Sequence, residues 1–66
     1  MNKHNNIYFV LFGRDHYDPD AHFRACRKKF DSLTDARKYA ARYINAYIFK
    51  AHFYKGDDAP AIFKIN

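Results

Sequence analysis

A capped amphipathic helix set between apolar, β-prone runs constrains this chain more than any other feature. The stretch Phe30-Asp31-Ser32-Leu33-Thr34-Asp35-Ala36-Arg37-Lys38-Tyr39-Ala40-Ala41-Arg42-Tyr43 reads as a strand end, a helix start and a helix with a basic outer side. Ser32 is a good N-cap, because its hydroxyl can accept a bond from a free amide of the first turn. Asp35 puts a carboxylate near the positive helix end, in a weaker form of the capping box, which prefers Glu or Gln there. The spacing predicts a helix from Leu33 to Asn45. Leu33, Ala36, Ala40, Tyr43, Ile44 and Tyr47 form its buried stripe. Tyr39 flanks that stripe, Lys38, Arg42 and Asn45 face water, and Arg37 lies nearer the boundary.

Strands are expected on both sides of the helix. Ile7 to Phe12 is β-branched and aromatic and ends at Gly13. It is apolar at both parities, which predicts a central strand or one whose second face a partner covers. Arg14 to Ala21 reads as a turn or loop marked by Asp18-Pro19-Asp20. His22 to Phe30 admits two readings. A strand is favoured by the alternation of Phe23 and Ala25 with Arg24, Cys26 and Lys28, with Phe30 entering the core after a bulge. A helix from Asp20 to Lys29, capped by Asp20, would put Phe23, Cys26 and Phe30 on one face. Ile48 to Lys55 alternates as a half-buried strand, with Phe49, Ala51 and Phe53 under the helix and Ile48, Lys50, His52 and Tyr54 opposite. Gly56 to Pro60 is a turn, and Ala61 to Ile65 a last strand with Ala61, Phe63 and Ile65 inward. Met1 to Asn6 is polar and expected to be loose.

The expected fold is α+β: a two-layer sandwich of one antiparallel sheet and one helix, in the order strand, strand, helix, strand, strand. Residues 1–66 make a single small domain. One helix covers one face of a sheet, so Tyr8, Val10 and Phe12 need another cover, and a homodimer through the open sheet face is the simplest. That face would show Ile48, Lys50, His52, Tyr54, Ile62 and Lys64.

The chain has 66 residues, and a domain of that size buries only about 60% of its unfolded surface. Seven Phe and six Tyr compensate, since large rings let a small core hold together. Some of them can instead serve a partner surface. The single cysteine, Cys26, rules out an internal disulfide and fits a reducing compartment. Neither a signal-peptide pattern nor a membrane-length apolar run is present, so a cytoplasmic protein without membrane contact is expected.

The net charge of +5 is localised. Arg24, Arg27, Lys28, Lys29, Arg37, Lys38 and Arg42 face only Asp31 and Asp35 between His22 and Arg42, and the rest of the chain is neutral. Such an excess points to an anionic partner; solubility is the plainer explanation.

Two hairpins joined by a Ser-capped, Ala-rich helix, here Ser32-Leu33-Thr34-Asp35-Ala36, make a layout that resembles small phage and mobile-element proteins. These include several anti-CRISPR and other counter-defence proteins. The resemblance is one of layout and implies a binding inhibitor of a host machine; it carries over no functional residue.

Chemistry has little footing. Asp15-His16-Tyr17-Asp18-Pro19-Asp20-Ala21-His22 gathers carboxylates and imidazoles, but its spacing matches no metal motif, and a polar turn explains it. Cys26 lies among basic residues that favour thiolate, although buried structural thiols are more common. The chain has no Glu and no Gly-rich phosphate loop. The expectation is therefore a non-enzymatic protein with no cofactor, no metal and no catalytic residues. Its partner would be a protein or nucleoprotein complex met through a basic, aromatic surface. The expected binding residues are Arg24, Arg27, Lys28, Lys29, Arg37, Lys38, Arg42, Lys50, His52 and Tyr54. The alternative is a nucleic-acid-binding domain that contacts phosphates through the 24–42 cluster.

Overall fold

The computed structural model describes residues 6–56 and 58–65. Residues 1–5 of the expected loose segment, and Asp57 of the expected turn, lie outside them; Asn6, expected to be loose, is instead the first strand residue, opposite His52. The elements are β1 (Asn6–Phe12), a 3₁₀ turn (Gly13–Tyr17), α1 (Pro19–Ala25), β2 (Lys29–Phe30), α2 (Leu33–Ala40), β3 (Ala46–His52) and β4 (Ala61–Lys64). The fold is α+β, with an antiparallel four-stranded sheet in the order β2-β1-β3-β4. β1 pairs along its whole length with β3, from Asn6 opposite His52 to Phe12 opposite Ala46. β2 and β3 both run antiparallel to β1 and so parallel to each other. The link that carries α2 is therefore a crossover over β1 rather than a joint between two hairpins.

The expected Ser32 cap is present. Its Oγ accepts from the amides of Thr34 at 3.1 Å and Asp35 at 3.4 Å. Behind it, Ala36 and Ala40 are buried against Val10 and Ile48, with Leu33, Tyr39, Phe30 and Tyr8 around them. The helix ends earlier than its apolar stripe suggested. After Ala40 the amides of Arg42 and Tyr43 bond back to the carbonyls of Tyr39 and Ala40 in tight turns. Asn45 then takes a left-handed φ of 61°, which Asn tolerates better than most residues. Its carbonyl accepts from the Gly13 amide at 3.0 Å, which closes the end of the β1–β3 ladder. The chain must reverse there to pair with β1, so Tyr47 lies in β3 and Ile44 is left 88% exposed.

The segment before β2 matches the less-favoured reading in part: it is helical, with Phe23 and Cys26 on one side, but the helix starts at Pro19 after Asp18 and ends at Ala25, and Phe30 goes to the opposite face. His22 to Ala25 belongs to α1, and only Lys29 and Phe30 form a strand. Asp18 and Pro19 start this helix, with Pro at a position whose amide needs no partner. α1 lays Phe23 and Cys26 on a core of Phe9, Leu11, Phe49 and Ala51. The Phe9 ring meets Phe23 edge-on at 5.0 Å and stacks on Phe49 at 5.5 Å.

A helix therefore lies on each face of the sheet, not on one. Ile48, expected on an open face, is buried beneath α2, and Phe49, Ala51 and Phe53 belong to the α1 side. β4 is also shifted by one residue from the expected parity: Phe63 faces Lys50, and Ile62 faces Ala51. Val10 lies under α2 and Phe9 under α1, so the both-sided apolarity of β1 is answered within the chain. Tyr8 and Val10 thus need no second copy to cover them, while Phe12 stays 37% exposed. No helix among the described residues is long and apolar enough to cross a membrane.

Two substitutions test the two faces separately. Ala36→Glu places a charge with no room under α2, and should cost on the order of 3 kcal/mol or more and unfold the domain. Phe23→Ala should cost about 2 kcal/mol if α1 covers the second face, since a half-buried ring is worth less than a fully buried one. Circular dichroism melts read both; an unchanged Phe23→Ala melt would mean that α1 does not close the core. Ser32→Ala should cost about 1 kcal/mol.

Candidate binding site

α2 turns its Asp35, Lys38 and Tyr39 side toward β2, and Arg42 in the turn after it continues that side. These residues, with Lys28 and Phe30, line a cleft of about 300 Å³. Their spacing of three and four residues puts them on one side of the helix. A second cleft of about 310 Å³ adjoins it, lined by Val10, Leu11, Phe12, Asp15, His22, Ala25, Cys26, Arg27, Lys28 and Tyr39. Lys28 and Tyr39 are common to both, so the two clefts form one groove with Lys28 on the shared wall. The second cleft exists because β2 is short. It pairs only with Tyr8 and Phe9, and among the described residues no strand continues along Val10 to Phe12 on that side.

The groove is aromatic as well as basic. Phe30 and Tyr39 lie 5.4 Å apart, Tyr39 and Tyr43 5.4 Å, and Tyr43 and Phe12 5.2 Å. The Lys28 ammonium is 5.7 Å from the Phe30 ring and 5.7 Å from the Tyr39 ring, within cation–π range of each. Phe12 is 37% exposed and Tyr43 47%, so both rings offer surface to a partner. Desolvation raises the Tyr39 phenol above its ordinary value of 10.0; the charge and hydroxyl of Tyr43 and the charge of Cys26 add to this, and Arg42 opposes it.

Of the ten expected binding residues, Lys28, Lys38 and Arg42 meet in the groove, and Arg27 joins them in its second cleft. The others are dispersed. Lys29 folds back, donating to the Cys26 carbonyl at 2.7 Å with its ammonium 4.8 Å from the Phe23 ring. Arg24 lines a separate cleft with Asp20, Phe23, Ala59, Pro60 and Ile62. Arg37 is exposed on α2 and lines none of these clefts. Lys50, His52 and Tyr54 form a second small group toward the end of β3. There the Lys50 ammonium is 5.4 Å from Phe63, the His52 and Tyr54 rings are 4.4 Å apart, and His52 Nδ1 bonds Asn6 Oδ1 at 2.6 Å. Lys50 sits opposite Tyr8, which in turn pairs with Phe30, so this group lies two strands, about 10 Å, across the sheet from the groove's Phe30.

The carboxylate and imidazole run resolves into two arrangements. Asp15 Oδ1 and His22 Nε2 are 3.5 Å apart in the second cleft. His16 instead stacks on Tyr47 at 3.8 Å and lies 4.1 Å from Tyr17. Among the described residues no three His, Cys, Asp or Glu side chains converge as metal ligands do. The Cys26 thiol donates to the Lys28 carbonyl at 3.3 Å and, more weakly, toward the Val10 carbonyl at 3.9 Å. This ties the 26–28 loop to β1 and so sets where Lys28 stands. Comparison with protein families, with characterised proteins and with solved structures gives no match.

Nothing in the sequence marks Phe12, Phe30 and Tyr39 as lining this site, or Tyr43 as packing beside it. By sequence they belong to strand faces, to a helix stripe and to its flank, and only the early end of α2 and the shortness of β2 bring them together. The raised Tyr39 phenol gives a check. The folded chain holds that proton to higher pH than the unfolded chain. The contribution to stability is therefore complete below the unfolded value near 10 and is lost as pH rises through the folded one. Ultraviolet titration should show an alkaline-shifted phenolate component that Tyr39→Phe removes; an unchanged profile would mean that the phenol is not desolvated.

Proposed function

We propose that the chain is a non-enzymatic binding protein that engages an anionic macromolecular partner through the groove between β2 and α2. One observation carries this reading: Lys28, Lys38 and Arg42 line one cleft with the rings of Phe30 and Tyr39, and Arg27 lines the adjoining cleft. Solubility alone needs charges spread over a surface. It does not need cations gathered on an aromatic floor, where each ring also offers a partner apolar area. Arg and Tyr are the side chains that most often anchor interfaces. A nucleoprotein machine, such as a host CRISPR complex, presents phosphates beside protein surface and is a partner of this kind; the two-hairpin layout that suggested one is not the layout of this fold. On that reading the protein acts by holding the machine's own nucleic acid, or an acidic protein surface beside it, in the groove. The alternative, a nucleic-acid-binding domain, uses the same groove.

The test is a triple reversal, Lys28→Glu, Lys38→Glu and Arg42→Glu. All three residues are exposed, so stability should change little, and a melt verifies folding first. Immobilised wild-type protein should retain a partner from an extract of its source organism at low salt and release it at high salt; the folded variant should retain at least ten-fold less. Equal, salt-resistant retention by both would contradict the reading and move the site to the Lys50, His52, Tyr54 and Phe63 group.

A further inference from the structure

We propose that the two halves of the groove take consecutive nucleotides of a single-stranded nucleic acid, with the phosphate between them on Lys28. This rests on the reading of the groove as a site for an anionic partner and names the partner's class. Each cleft, about 310 and 300 Å³, lies at the small end of the range for a bound small molecule. Neither admits a folded element. A chain of repeating units fits two such clefts set side by side, and the wall between them is where its linking group must pass. That wall carries an ammonium, Lys28, held between two rings. Flanking cations continue the track on both sides, with Arg27 in one cleft and Lys38 and Arg42 in the other.

The rings and carboxylates in and beside the groove separate a single strand from the other polyanions. Exposed rings at Phe12 and Tyr43 add contact only if the partner has free π-faces, and unstacked bases have them. A duplex keeps its bases within its own stack and would use the cations alone. An acidic peptide would use the cations too, but Asp15 stands in one cleft and Asp35 in the other. Those carboxylates repel a peptide's carboxylates and a strand's phosphates alike, but they can also accept from the exocyclic amino groups of bases, donors that an acidic side chain lacks.

Fluorescence anisotropy on the intact chain, with a labelled single-stranded oligonucleotide of mixed sequence, tests this. The same sequence as a duplex and a polyglutamate peptide serve as competitors. With three phosphate contacts at about 0.7 each, the logarithm of affinity should fall with the logarithm of salt at a slope of about −2. Lys28→Gln should weaken binding about ten-fold and reduce that slope by about 0.7. Tyr43→Ala should weaken binding five-fold or more and leave the slope alone, because stacking releases no counterions. Should Tyr43→Ala fail to fold, Arg42→Gln, at an exposed site, reports on the cleft beside Tyr43 through the slope. Equal or stronger competition by the duplex overturns the proposal, as does binding that ignores Lys28→Gln. Polyglutamate binding that Lys28→Gln abolishes, without oligonucleotide binding, overturns the nucleic acid and leaves the anionic groove standing. Binding of neither overturns both readings.

Discussion

The antiparallel pairing of β1 with β3 supports everything else in this molecule. Its seven residue pairs place Phe9, Leu11, Phe49 and Ala51 on one face and Val10 and Ile48 on the other. Both sets are buried, so both faces must be covered by a chain with few residues to spare. α2 covers one with two alanines, which let its backbone approach the sheet. α1 covers the other with one phenylalanine and a cysteine. A small domain gains from this economy: the strands that form the ladder also supply two cores, and each core needs only a short helix.

The groove follows from where this economy leaves gaps. β2 is only two residues long, because the preceding turns of chain are spent on α1. The chain returns to the sheet through the 26–28 loop, which the Cys26 thiol ties to carbonyls on either side. This leaves the end of β1 bordered by a cleft instead of a strand, and it sets Lys28 at the cleft's edge. On the other side, α2 stops at Ala40, which frees Arg42 and Tyr43 from the helix and turns Tyr43 against Phe12. Cations and rings thus meet at the one corner where neither sheet nor helix is complete. A continuous β2 would have closed that corner.

Much of the frame was legible in the residues. The Ser32 cap, the Ala36 and Ala40 stripe, the β1 run and the last two strands each carry a local signal with a local cause. α1 was harder to see because Asp18-Pro19 announces a turn and a helix start equally well, and Phe23 and Ala25 alternate as a strand would. Tertiary contact with Phe9 decides it. Once a second helix is present, the parity of β3 follows: Ile48 goes under α2, and Phe49 goes to the opposite face. The end of α2 could not be read from periodicity, since Tyr43, Ile44 and Tyr47 continue the apolar spacing; the demand of Ala46 to pair with Phe12 overrides it. For the site, charge clustering along the chain pointed to the correct third of the sequence. It could not tell that Lys29 folds back over Phe23, that Arg24 faces another cleft, or that Lys28, distant from Arg42 in sequence, shares its groove.

The central claim is that one corner of the fold, bounded by Lys28, Tyr39 and Arg42, meets an anionic partner. Amide chemical-shift mapping of isotope-labelled protein against a short single-stranded oligonucleotide addresses it most directly. The account predicts shifts concentrated at Phe12, Arg27, Lys28, Phe30, Lys38, Tyr39, Arg42 and Tyr43, saturating together. Shifts centred instead on Lys50, His52 and Tyr54, or spread evenly over every lysine and arginine, would contradict it.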